Sequence, residues 1–238
     1  MLVKLFIIGL PGSGKSTAYR SINQYIEGLN QGWHVQRIND YDILSAMCED
    51  DEERKKFRLI KHKGFNVKDF SVLDDALGEA KTRIEKHRPS ATNELIVIEF
   101  ARNDYRKAFQ MFGRDILQDA YFLFLEAQKS ICSKRLKERI TKLHIPDNHY
   151  VSISILRTYY HKSLQYTSSD LKTDYGINDQ NILVIDNNGL EADLVAQIEQ
   201  FVGAILAWKV ERNSFLDPAK LPNSYAYLQN SSDINTTC

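Results

Sequence analysis

Leu2-Val3-Lys4-Leu5-Phe6-Ile7-Ile8-Gly9-Leu10-Pro11-Gly12-Ser13-Gly14-Lys15-Ser16-Thr17 is the stretch around which the rest of the chain can be read. Residues 2–8 form an apolar, β-branched run suited to a strand buried on both faces. Residues 9–16 fit G-x-x-x-x-G-K-[ST]. Residues 16–29 then read as a helix, with Ala18, Ile22, Tyr25, Ile26 and Leu29 at helical spacing. Strand, glycine-rich loop and helix, in that order, are the context in which the pattern cradles nucleotide phosphates. Gly12 and Gly14 lack a Cβ, so the backbone can turn tightly and aim its N–H groups inward. The helix N-terminus adds partial positive charge. Lys15 is placed to reach the β and γ phosphates, and the Ser16 hydroxyl to ligate Mg²⁺. Gly9, Pro11, Gly12, Ser13, Gly14, Lys15, Ser16 and Thr17 are therefore the expected ATP-binding residues.

Outward from this loop, strands and helices alternate. Strands are expected at 35–38, 94–100, 121–125 and 182–185. Helices are expected at 42–48, 72–87, 105–117, 129–141, 151–166 and 190–208. Residues 49–53 are acidic and 54–63 basic, an order that suits the macrodipole of a further, solvated helix. The alternation predicts an α/β fold: a three-layer P-loop fold with a parallel five-stranded sheet, helices on both faces, a short lid and a helical acceptor-binding insertion. The expected organisation is one domain over residues 1–212, with an acceptor-binding region at about 40–90 and a lid at about 135–157. A polar tail occupies 213–238, either disordered or packed as an extended arm.

Composition narrows the function classes. The 238 residues carry 31 Lys+Arg against 31 Asp+Glu, a balance that disfavours a nucleic-acid-coating protein while leaving room for a local basic site. The longest apolar runs, 5–10 and 121–125, fall far short of the ~18–20 residues that cross a bilayer, so no membrane partner is expected. Residues 1–9 resemble a signal peptide only superficially, lacking a basic start and a small-residue cleavage site. Cys48, Cys132 and Cys238 are too few and too scattered for a disulfide framework and read as thiols of a reducing cytoplasm. The six histidines show no ligand spacing.

In an open parallel sheet ligands bind beyond the carboxyl ends of the strands, so the residues just after each strand carry the chemistry. No Asn-Lys-x-Asp segment reads a guanine base, and the third strand ends Glu99-Phe100-Ala101-Arg102 rather than in the Asp or Asp-Glu of a motor ATPase. Asp40 and Asp42 follow the second strand; either is a natural base for a hydroxyl acceptor, or the N-cap of the next helix. Tyr41 and Phe100 are candidates to flank an acceptor ring. Residues 129–142 hold six basic residues against Glu138 alone, and Arg135 and Arg139, four apart, share a helix face. Glu99 reads either as a site residue or as the partner of Arg102 or Lys15 in a structural ion pair.

These segments together resemble the nucleoside-monophosphate kinase superfamily, adenylate-kinase-like in layout. The resemblance covers residues 3–202. It implies ATP and Mg²⁺ as cofactors and a small-molecule phosphoryl acceptor. Asp42 resembles the carboxylate of the family's acceptor-binding helix. Glu99 and Arg102 resemble its acidic residue and Phe-Pro-Arg turn, which implies that Arg102 grips an acceptor phosphate and Glu99 organises Mg²⁺ water or the acceptor hydroxyl. Arg135 and Arg139 resemble its lid arginines on the donor base and phosphates, and Arg157 resembles the arginine that returns to the transferring phosphoryl group. The sequence departs from the pattern at Ala101, which replaces the proline, and in the short lid loop at 142–150. Two other readings stay open: a kinase acting on a hydroxyl of another metabolite or nucleic-acid end, with Asp40 or Asp42 as base, and a slowly hydrolysing NTP-binding regulatory module that signals through the tail.

Overall fold

The structure is a computed structural model and describes residues 1–60, 64–141, 156, 159–160 and 166–216. The expected Arg157, the lid loop at 142–150, most of the helix expected at 151–166 and the tail beyond 216 lie outside the described residues. The chain divides into two compact units, Met1–Ile198 and Glu199–Cys238.

In the first unit the elements run β1 (Leu2–Gly9), α1 (Lys15–Leu29), β2 (Trp33–Asn39), α2 (Asp40–Asp50), β3 (Phe57–Ile60), β4 (Gly64–Val67), α3 (Ser71–Glu85) and β5 (Asn93–Phe100). They continue with α4 (Tyr105–Phe112), α5 (Arg114–Leu117), β6 (Ala120–Glu126), α6 (Lys129–Thr141), α7 (Ser168–Tyr175) and β7 (Ile182–Asp186). A last helix, α8 (Glu191–Leu216), starts in the first unit and runs on into the second. Five parallel strands form one sheet in the order β2-β5-β1-β6-β7. This is the parallel α/β sheet the sequence predicts, with a P-loop leaving its central strand.

Strand alternation divides the side chains between the two faces. Phe6 and Ile8 of β1, Ile96, Ile98 and Phe100 of β5, and Phe122 and Phe124 of β6 join one core with α3, α4 and α7. Glu99, between two of these, therefore points to the opposite face, where its carboxylate meets Ser16 of α1. The register pairs Glu99 with both Ile7 and Asn39, and Gly9 with Leu125, so the carboxyl ends of β1, β2, β5 and β6 finish side by side.

One expectation fails. Within the basic stretch after residue 53, residues 57–60 form a strand, β3, that pairs antiparallel with β4, and not a helix. Asp51 accepts the amides of Lys55, Lys56 and Phe57 at 2.9–3.1 Å, and Arg54 takes a left-handed φ of 54°. Both turn the chain away from a helical path. Phe57 and Phe65 then bury an edge-to-face contact against Tyr41 of α2.

Candidate active site

The loop between β1 and α1 has the geometry its glycines require. Gly12 and Gly14 have φ of 83° and 106°. A Cβ on Gly12 would lie 2.7 Å from the Cys132 carbonyl of α6, and one on Gly14 2.4 Å from Nδ2 of Asn187. The loop is thus gripped between α6 and the turn after β7. Asn187 Nδ2 donates to the Ser13 carbonyl at 2.7 Å. The Tyr105 hydroxyl of α4 accepts from the Gly9 amide and donates to the Gly9 carbonyl, both at 3.1 Å.

Lys15 is buried and turned back on its own loop, its Nζ donating to the carbonyls of Gly9 (3.0 Å) and Leu10 (3.1 Å). Burial draws its pKa down; the carboxylates of Glu99 and Asp40 push it back up, and the Arg139 guanidinium lowers it. The charges of Glu99, Asp40 and Arg139, from three other segments, thus bear on Lys15. Arg135, one helical turn before Arg139, is half-buried, and its Nη1 has no hydrogen-bond partner among the described residues. The Oγ of Ser13, at 0% exposure, is likewise unpartnered among them. The Oγ of Ser21 and the Nε of Arg102 are also buried without a partner among the described residues. Thr17 is half-buried and accepts from Arg20 at 3.2 Å. Pro11 is buried within the loop.

Two carboxylates flank the lysine, and each is clamped by an arginine through one oxygen. Glu99 is buried; its Oε2 accepts from Arg37 Nε (3.2 Å) and Nη2 (2.6 Å), while its Oε1 accepts from Ser16 Oγ at 3.4 Å. Its ion-pair partner is Arg37, whereas the alternative to a site role names Arg102 or Lys15. Asp40 uses Oδ2 to accept from Arg102 Nη1 and from the Ala101 amide. Arg102 is 3% exposed; its Nη1 also donates to the Ala101 carbonyl and its Nη2 to the Leu73 carbonyl, each at 2.6 Å.

The remaining candidates fall elsewhere. Asn39, not Asp40 or Asp42, is the N-cap of α2, accepting from the Tyr41 amide at 3.0 Å. Asp42 sits in the first turn of α2 with its side chain exposed; two residues past Asp40 on a helix, it points away from the Asp40 side. Tyr41 stacks on Phe65 at 5.3 Å and is taken up by the hairpin. Phe100 is 1% exposed and lies in the aromatic core with Phe6, Phe109 and Phe112, because it alternates with Glu99 along β5. It meets the site only through Arg102, whose guanidinium lies 5.9 Å from the centre of its ring. Arg37, Asn187 and Tyr105 contribute to the site and were not singled out from the sequence. The one available signal was a charged residue, Arg37, inside a strand.

A cavity of about 330 Å³ opens between the first turns of α3 and α4. Its lining includes Phe70, Asp74, Arg102, Asn103, Lys107 and Tyr159. Phe70 and Tyr159 stack over it at 4.7 Å, and Lys107 pairs with Asp74 at 2.6 Å. For a divalent cation, the protein offers the Ser16 hydroxyl and the Glu99 carboxylate beside the loop. Among the described residues no group of three or more His, Cys, Asp or Glu gathers to hold a metal. Mg²⁺ keeps several waters and takes one or two protein oxygens plus substrate phosphates, so this small hard-oxygen set fits it. Among the described residues no helix is long and apolar enough to cross a membrane.

Solved structures similar to this chain include a gluconokinase from Sinorhizobium meliloti, at 16% identity over 89% of this chain and 97% of that one, with a TM-score of 0.46. A shikimate kinase from Acinetobacter baumannii in complex with shikimate is 13% identical over 86% and 94% of the two chains, with a TM-score of 0.46. An APS kinase from Mycobacterium tuberculosis in complex with AMPPNP and APS is 12% identical over 84% and 97%, with a TM-score of 0.48. No protein-family model and no curated protein matches the sequence.

Proposed function

We propose that the chain is an ATP-dependent P-loop kinase that phosphorylates a hydroxyl of a small molecule. The observation that carries this reading is Asp40: its carboxylate, held by Arg102, lies in the electrostatic reach of the phosphate-loop lysine. Phosphoryl transfer asks mainly for positioning and for positive charge around the phosphoryl oxygens. Lys15 and Arg139 supply that charge, and Arg135 and the loop amides extend it. When bound, Mg²⁺ would be held by Ser16 and, through water, by Glu99, and would offset charge on the β and γ phosphates.

The acceptor hydroxyl attacks the γ phosphorus; its O–P bond forms as the bridging β–γ P–O bond breaks, ADP leaves, and the proton goes to Asp40. The cavity between α3 and α4 is the proposed acceptor pocket, of a size for a small metabolite. A hydroxyl is favoured over a phosphate acceptor because the terminal nitrogens of Arg102 already donate to Asp40 and two backbone carbonyls. Arg102 then positions the base rather than gripping a phosphate. Asp42, being exposed, would meet an acceptor only from the rim.

The test is ADP release measured across polyols, hydroxy acids, nucleosides and nucleoside monophosphates. With the acceptor that stimulates turnover, Asp40→Asn should lower kcat by a factor on the order of 10²–10⁴ while ATP affinity holds. Intact ATP binding with no stimulation by any acceptor would remove the kinase reading.

A further inference from the structure

We infer that Arg37 is a positioning residue for the metal side of the site: it clamps one oxygen of Glu99 and thereby presents the other to the coordination shell beside Ser16. The inference rests on the MgATP reading above and extends it to a residue outside the phosphate loop.

The sequence places Arg37 within β2, two residues before Asn39, and the parallel register sets Arg37 against Val97 and Asn39 against Glu99. Positions 37 and 99 therefore lie on the same face of adjacent strands, one diagonal step apart. Side-chain exposure is 11% for Arg37 and 7% for Glu99, so this pair is shielded from water. A buried carboxylate needs a cation or a metal, and the bland reading of Arg37 is charge compensation alone.

The pattern of donors separates the two readings. An arginine that merely neutralises a carboxylate commonly spreads two N–H groups over both oxygens. Here Nε and Nη2 both donate to Oε2, at 3.2 and 2.6 Å, and Oε1 is left facing the Ser16 hydroxyl at 3.4 Å. The guanidinium is held in turn by the Tyr19 ring, 4.4 Å below it. Tyr19 stands one helical turn after Lys15 on α1, so the helix that positions the loop lysine also fixes the residue that aims Glu99. A lysine at 37 would keep the charge but deliver it as a point, without the planar fork or the stack.

The experiment is ATP binding by the full chain, measured calorimetrically in EDTA and across a Mg²⁺ titration. Removing the groups that orient a metal ligand typically weakens metal affinity about 10–100-fold. In Arg37→Lys the Mg²⁺ concentration giving half of the affinity gain should rise at least about tenfold on that scale, while ATP affinity in EDTA stays within about twofold of wild type. Tyr19→Leu, which keeps the ion pair and removes the stack, should shift the Mg²⁺ requirement the same way by a smaller factor. An unchanged Mg²⁺ requirement in Arg37→Lys, or an equal loss of ATP affinity with and without Mg²⁺, would overturn the inference. Should Arg37→Lys fail to fold by circular dichroism, Tyr19→Leu decides by the same two numbers. Lys15→Ala binding ATP as the wild type does would instead strike the nucleotide reading itself, a result separate from any at position 37.

Discussion

Gly12 shows how tightly a single position is held. Its φ of 83° lies where an L side chain is strained by roughly 1–2 kcal/mol. A methyl there would also press on backbone of α6 at 2.7 Å, which no side-chain rotation relieves. Gly12→Ala should therefore cost the fold roughly 1–2 kcal/mol in strain and, by pushing α6 off the loop, weaken ATP binding severalfold. Equilibrium titration with ATP checks this; an affinity within twofold of wild type would contradict the packing described. Loop residues of this kind are legible in sequence because a glycine before Lys-Ser answers to a backbone rule. Arg102 and Arg37 are not, because an arginine's role is set by whichever carboxylate the register brings beside it. The two acids at strand ends were visible from their positions; which arginine clamps which acid depends on β2 and β5 being neighbours, a fact of topology that the local pattern does not carry.

At the scale of elements, β5 is anchored at its start by Glu94, which is 0% exposed and surrounded by donors. It accepts from the Ser90 hydroxyl (2.7 Å), the Ser90 and Ala91 amides (2.6 and 3.0 Å), and it meets His87 Nε2 at 2.5 Å. The Ser90 hydroxyl first, then His87 and the two amides, pull its pKa from 4.5 to about 2 against the effect of burial. A depressed carboxylate contributes stability that is fully present above its ordinary pKa and fades as pH falls toward the folded-state value. Glu94→Gln should thus melt below wild type at pH 7, and the gap should close between about pH 4.5 and 2, followed by thermal denaturation at stepped pH. A gap independent of pH would mean that the Glu94 charge plays no part. The hairpin β3–β4 teaches the complementary point. Its acidic-then-basic order imitates a helix, but Asp51 draws three successive amides to itself and Phe65, edge-to-face with Phe57, stacks on Tyr41 of α2. Charge order was a weaker signal than a single carboxylate with neighbouring amides to satisfy.

For the molecule as a whole, ligand binding and stability are linked. A ligand that binds only the folded form at a hundred times its Kd adds about 2.7 kcal/mol. For a unit of this size each kcal/mol moves Tm by about 2–4 °C, so saturating MgATP should raise the melting point by roughly 5–10 °C. Lys15→Ala should abolish the rise, and scanning fluorimetry with and without MgATP reads both; a full shift in that variant would place the ligand away from the loop. The alternation of strands and helices made the sheet legible from the outset, because each buried parallel strand announces itself as an apolar run. The bond from Asn187 to the loop was invisible, joining residues 174 positions apart in sequence. The turned-back ammonium of Lys15 has a thermodynamic consequence of its own. Before any nucleotide arrives, the carbonyls of Gly9 and Leu10 already occupy this cation, so every incoming anion must outcompete a built-in rival. A chain of linked phosphates, meeting lysine, arginines and amides at once, would bring more contacts to that exchange than a lone sulfate or orthophosphate does.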